Sequence, residues 1–199
     1  RAQGDHCYIW VVDVNFSDLE ASGAKITKAK AGDLTEQFDD MYNLIREVFG
    51  EESDKMYHVG NLTNISNVSN TGKKVNIVVY DIAGDYTDNQ DAGMFGYFYP
   101  KDYYTPESAS FYEDDILLYS NNGKYFYIDS WFLNLNPQMI YSTLAHEFQH
   151  MINFGQKSIE NDVYSSTWSN EMMSMVCEDM LQEYLGIDTK DSPIQRLLL

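Results

Sequence analysis

The stretch Leu144–Phe154 reads LAHEFQHMINF. Two histidines, His146 and His150, stand four residues apart, and Glu147 follows the first. On an α-helix, residues four apart share a face, separated by about one turn of 5.4 Å. Both imidazoles can therefore aim at one point, and Glu147 borders the same point. Leu144, Phe148, Met151 and Ile152 fall on the opposite side, an apolar face that predicts a helix packed onto a core and held rigid. Asn136-Pro137 opens this helix, since Asn is a good N-cap and Pro fits the first turn. The helix is expected to run to about Asn153, with Gly155 ending it.

Two imidazoles do not complete a metal site. Catalytic zinc takes three protein ligands and keeps a fourth position open. Downstream lies WSNEMMSMVCEDM, Trp168–Met180, read as part of a second helix from about Thr167 to Tyr184, stopped near Gly186. An antiparallel return of that helix brings Glu171 back over the histidines as the third ligand. The bland reading is a surface helix in which His, Glu and His are accidental. The second helix counts against it, and so does the placing here of two of only four histidines in the chain. His6 and His58 have no motif around them and are read as structural or surface residues.

These segments carry a resemblance. LAHEFQHMINF followed by WSNEMMS resembles the gluzincin metallopeptidases. Asn170-Glu171-Met172-Met173-Ser174 matches the Asn-Glu-any-any-Ser helix of the thermolysin-like enzymes, and Trp168, Asn170 and Glu171 match the zinc aminopeptidase version. The hyicolysin family of bacterial secreted metallopeptidases shares both segments and is similar also around MFGYFYP; the likeness spans roughly residues 75–183. It implies a zincin-like α+β fold, zinc as cofactor with His146, His150 and Glu171 as ligands, Glu147 as general base, peptide or protein as substrate, and a secreted or cell-surface setting. Two departures stand out. Thermolysin-like enzymes carry an Asp four residues after the ligand Glu, where this chain has Met175; Glu178 or Asp179 are the candidates to take its place. Such families also place a His or Tyr downstream to steady the oxyanion, and only Tyr184 and Tyr164 offer themselves here. No Gly-any-Met-Glu-Asn segment occurs, which favours an endopeptidase over an aminopeptidase.

The rest of the chain frames this reading. Its 199 residues suit one catalytic domain over 1–199, with a strand and helix part at 1–135 and a helical zinc-binding part at 136–199. Thirty-one acidic residues against thirteen basic ones give a net charge of −18, which disfavours nucleic acid and anionic membranes as partners. No apolar run approaches the roughly 20 residues of a membrane span. Cys7 and Cys177 are expected as unpaired buried thiols, with a long-range disulfide as the alternative. The chain starts at Arg1 without a signal-peptide pattern, consistent with a removed leader, and its closing Leu-Leu-Leu suggests continuation into a longer protein.

Strands are expected at Cys7–Val14, Lys74–Ile82 and Met94–Tyr99. A hairpin is expected from Asp115–Ser120 and Lys124–Asp129 around Asn121-Asn122-Gly123. A helix is expected over Thr35–Phe49, closed by Gly50, with residues 21–33 as connection. Strands first and helices afterwards argue α+β with a mixed or antiparallel sheet. Either Met94–Tyr99 or a hairpin strand is the edge along which a substrate would lie. Asn15, Asn61, Asn64 and Asn67 stand in glycosylation sequons, and residues 61–70 are read as a polar loop or exposed edge strand. Asp81, Asp85, Asp88, Asn89 and Asp91 form an acidic loop, read as solvated with calcium as the alternative. The competing functional readings are a catalytically inactive or non-peptidase zinc protein, and a secreted adhesin or carbohydrate-binding module.

Overall fold

A computed structural model describes residues 1–86 and 93–186. In chain order the elements are β1 (Ala2–Gln3), β2 (Cys7–Val11), α1 (Lys28–Phe49), β3 (Lys55–His58), β4 (Asn61–Asn64), β5 (Val75–Tyr80), β6 (Gly96–Phe98), α2 (Ala109–Tyr112), β7 (Tyr125–Asp129), α3 (Ser130–Leu135), α4 (Pro137–Asn153) and α5 (Thr167–Leu181). Five strands form one mixed sheet in the order β1-β2-β5-β7-β6. The inner strands β2, β5 and β7 run parallel, and β1 and β6 are antiparallel to their neighbours. The class is α+β with a mixed sheet. β3 and β4 pair in a separate antiparallel ribbon, so the polar Asn61 segment is an exposed strand as the sequence suggests.

Alternation along the strands decides which face is core. Cys7, Ile9, Val75, Ile77, Val79, Phe126 and Ile128 are fully buried on one face, against α1 and α4. Phe148 of α4 meets Phe38 edge-on at 5.1 Å and Tyr42 stacked at 5.2 Å, so α1 clamps the back of the helix that carries the histidines. Leu144, Phe148, Met151 and Ile152 are all fully buried, as the apolar stripe requires. Each such side chain contributes roughly 1.5–3 kcal/mol by leaving water. Asn136 caps α4 by accepting from the Met139 amide at 3.4 Å.

The structure corrects four local expectations. No hairpin forms: Asp115–Tyr119 is a 3₁₀ turn, capped by Asp114, with Leu117 buried beneath it. β7 already has β5 and β6 on its two sides, so no edge is left for a hairpin partner. The Asn121-Asn122-Gly123 turn is held instead by Asp102, which accepts from the Asn121 amide at 2.7 Å and the Gly123 amide at 2.8 Å. Second, α1 begins at Lys28, because Thr27 caps it by accepting from the Lys30 amide at 3.2 Å. Third, Gly155 does not end the active helix. The chain continues through a π-helical turn, Phe154–Ile159, and Gly155 is there because a Cβ would lie 2.6 Å from the Ser53 amide nitrogen. Fourth, α5 stops at Leu181, short of Tyr184. Cys7 and Cys177 are free and buried, and burial pushes both thiols up to about 12. No helix among the described residues is long and apolar enough to cross a membrane.

Candidate active site

α4 sets His146 and His150 edge-on to one another, with ring centroids 4.7 Å apart. α5 packs antiparallel beside it and delivers Glu171. Its Oε2 lies 3.3 Å from His146 Nε2 and its Oε1 3.5 Å from His150 Nε2. One donor atom from each of the three residues falls within 4.8 Å of the others. Two imidazole nitrogens and one carboxylate oxygen suit a borderline-soft cation such as zinc, and three protein donors leave one position open. The chemistry of the donor set therefore fits the metal that the sequence implies.

The far nitrogens of both rings are held. His146 Nδ1 donates to Glu178 Oε1 at 2.7 Å, and Glu178 in turn accepts from Ser142 Oγ. His150 Nδ1 donates to Ser174 Oγ at 3.0 Å, and Ser174 donates on to Gln149 Oε1 at 2.6 Å. With each proton kept on Nδ1, each Nε2 lone pair points at the shared space. Asn153 at the end of α4 donates to Asn170 Oδ1 in the first turn of α5, which ties the two helices together next to Glu171. Burial alone would lower the His146 imidazole, yet the hydrogen bond to Glu178 and the surrounding carboxylates raise it. Burial and the neighbouring His146 lower His150.

Glu147 lies between α4 and the edge strand β6, with only 6% of its surface exposed. Burial pushes its carboxyl up to about 7, against the opposing pull of His146 and of a hydrogen bond with the Phe98 backbone. Among the described residues β6 pairs with β7 alone, so its other side faces the site. Gly96 makes this close approach feasible: a Cβ there would sit 2.6 Å from the Tyr127 carbonyl oxygen and 2.8 Å from Thr143 Cγ2. A cavity of about 370 Å³ runs along the strand, bordered by Met94, Gly96, Thr143, His146, Glu171 and Met175.

The family model for Peptidase M30 matches residues 3–199. The chain belongs to the Peptidase M30 family. It is 34% identical over 191 residues to the neutral metalloprotease ShpI of Staphylococcus hyicus, an alignment that covers 90% of this chain and 35% of that protein. This M30 chain thus spans about a third of the length of that relative. No solved structure matches it.

Several sequence expectations meet the M30 site differently. Met175 lines the cavity beside His146, and Glu178, not Asp179, takes the place at Nδ1. Glu171 and Glu178 are seven residues apart, close to two helical turns, so they share a face; that spacing was the available signal. Ser142 and Gln149 were missed, although Ser142 precedes His146 by one turn on the same face; Ser174 was singled out only as the last position of the matched segment. Tyr164 borders a separate cavity beside His150, whereas Tyr184 lies on the far side of α5 with Leu44 and Val48. His6 stacks on Tyr42 and His58 bonds to Thr105, both away from the three donors. In the acidic loop, Asp85 accepts from the Met94 amide at 3.0 Å; Asp88, Asn89 and Asp91 lie outside the described residues.

Proposed function

We propose that this chain hydrolyses peptide bonds as a zinc-dependent endopeptidase, with His146, His150 and Glu171 as the metal ligands and Glu147 as the general base. The observation that carries the reading is the convergence of His146 Nε2, His150 Nε2 and the Glu171 carboxylate beside a buried, unligated Glu147. When bound, zinc supplies Lewis acidity, polarising the scissile carbonyl and lowering the pKa of water to about 7. The protein's own residues do the rest. Glu178 and Ser174 keep both imidazoles in the tautomer that offers Nε2. The Glu147 carboxylate takes a proton from the attacking water and hands it to the leaving amine. Among the described residues β6 has β7 on one side only, and an extended substrate adds to its other side as a further strand. Burial of Glu147 under β6 keeps bulk water from competing for its proton.

In this reading the arrangement is zincin-like and residues 1–199 act as one catalytic domain, supported by the packing of both the strand part and the helical part on one core. An extracellular setting belongs to the reading too, supported by the net charge of −18 and the resemblance of the two zinc-binding segments to the hyicolysin family. The deciding experiment incubates the zinc-loaded chain with an unstructured protein such as casein, with and without a strong chelator. Cleavage that stops with the chelator and returns with added zinc supports the reading. Undiminished cleavage in the chelator sinks it.

A further inference from the structure

A second cavity, of about 460 Å³, opens on the other side of the three donors. His150 and Glu171 line it, just as His146 and Glu171 line the first. Gly96 borders the first cavity and Phe98 the second, so both lie along the same edge strand, one towards each of its ends. A chain laid along β6 would drop side chains into both. The second cavity is well inside the roughly 300–1,000 Å³ range of ligand pockets.

One part of its wall is aromatic and fixed. Phe154 packs against Phe98 at 5.9 Å and Tyr103 at 5.4 Å between ring centroids. Tyr104 stacks on Tyr57 at 4.7 Å and meets Tyr112 edge-on at 5.3 Å. Its carbonyl accepts from Ser120 Oγ at 2.5 Å, so ring and backbone are both restrained. Part of the polar lining is already bonded: Asn153 donates to Ser165 and Asn170, and Glu171 faces the two histidines. An anionic side chain entering here would meet the Glu171 carboxylate, a like charge that disfavours it. A flat apolar ring would keep its dispersion contacts on all sides.

We propose that this cavity is a specificity subsite for a bulky apolar or aromatic side chain next to the scissile bond, with Tyr104 as the wall that selects it. The inference rests on the peptidase reading above. The test digests a peptide library with the zinc-loaded chain and locates cuts by mass spectrometry. The expected result is enrichment of Phe, Tyr and Leu, and depletion of Asp and Glu, at one fixed position beside the cut. Tyr104→Ala is expected to reduce the preference for Phe over Ala at that position about tenfold or more, read as the ratio of kcat/KM for the two peptides. Ser158→Leu, which adds bulk to the cavity lining, is expected to shift the preference towards small residues and serves if Tyr104→Ala does not fold. Cuts without residue preference at any neighbouring position overturn the subsite alone. An equal loss on all peptides in both variants, with zinc retained, does the same. No cleavage by the wild-type chain overturns the peptidase reading and the subsite with it.

Discussion

Glu178 holds Nδ1 of His146 at 2.7 Å, from a position two helical turns beyond Glu171. Thermolysin-like sequences place an Asp four residues after the ligand Glu, and Met175 stands there in this chain. A longer carboxylate one turn further on reaches the same nitrogen. Because Glu178 is buried and also accepts from Ser142, it is a fixed support and not a surface charge. Glu178→Gln is expected to weaken zinc binding by about 10–100-fold, the usual effect of removing such a partner. Competition against a chromogenic chelator measures it. Wild-type affinity in the folded variant would show that Glu178 does not orient His146.

Glu147→Gln separates holding the metal from moving the proton. The amide keeps the shape of the side chain but cannot accept the water proton. Zinc content is expected to stay at the wild-type level, and kcat to fall by about 100- to 10,000-fold. Elemental analysis and a fluorogenic peptide assay give the two numbers. Near-normal turnover would remove Glu147 from the proposed role.

Glu171→Ala tests the third ligand. Two histidines alone leave an incomplete donor set for catalytic zinc. Bound zinc after gel filtration is expected to drop from stoichiometric to a trace. Because the Glu171 side chain is half exposed, folding is expected to persist, which circular dichroism checks. A stoichiometric metal content would move the third ligand elsewhere.

What was legible in the sequence followed from local period. The four-residue spacing of His146 and His150, the apolar stripe through Leu144 and Phe148, and the Asn136-Pro137 start all depend on one helix, and one helix can be read from its own residues. Meeting with Glu171 needed only a second helix returning antiparallel. The supports were harder, because Ser174 and Gln149 lie on different helices and pair only after docking. The hairpin failed for a related reason. Asn-Gly is a local signal, but the turn is held by Asp102, nineteen residues before Asn121, and β7 takes its partners from distant strands. Gly155 misled in the same way: it serves a close approach to Ser53, not a helix end.

Gly96 sits where β6 presses against α4. An added Cβ would meet the Tyr127 carbonyl and the Thr143 methyl at 2.6 and 2.8 Å, and the former is backbone with no freedom to swing away. Gly96→Ala is therefore expected to push the edge strand outward and loosen Phe98 from Glu147. Overpacking of this kind costs about 1–3 kcal/mol. Peptide cleavage is expected to fall much more than zinc binding, since the three donors lie on α4 and α5. Denaturant melts, zinc titration and kinetics on the same preparation give the comparison; equal losses in all three would point to general unfolding instead.

Lys124, the residue before β7, is a buried cation, 1% exposed. Its Nζ lies 3.0 Å from Glu52 and 2.7 Å from Asp54. Glu52 also accepts from the Tyr42 hydroxyl at 2.7 Å and forms an ion pair with Arg46, whose Nε lies at 3.2 Å, so the lysine anchors a network under α1. Lys124→Ala leaves Glu52 buried without its lysine and is expected to cost about 3–5 kcal/mol. Asp54 adds a pH signature. Burial would raise its carboxyl, but hydrogen bonds from Lys124 and Lys73 bring it below the ordinary Asp value. The folded state thus favours the ionised form, so this contribution is complete above the ordinary Asp value and is lost as pH falls through the depressed one. Melting temperature followed down through the acid range is expected to fall less steeply in Asp54→Asn than in the wild type. Parallel curves would show that Asp54 contributes nothing to acid sensitivity.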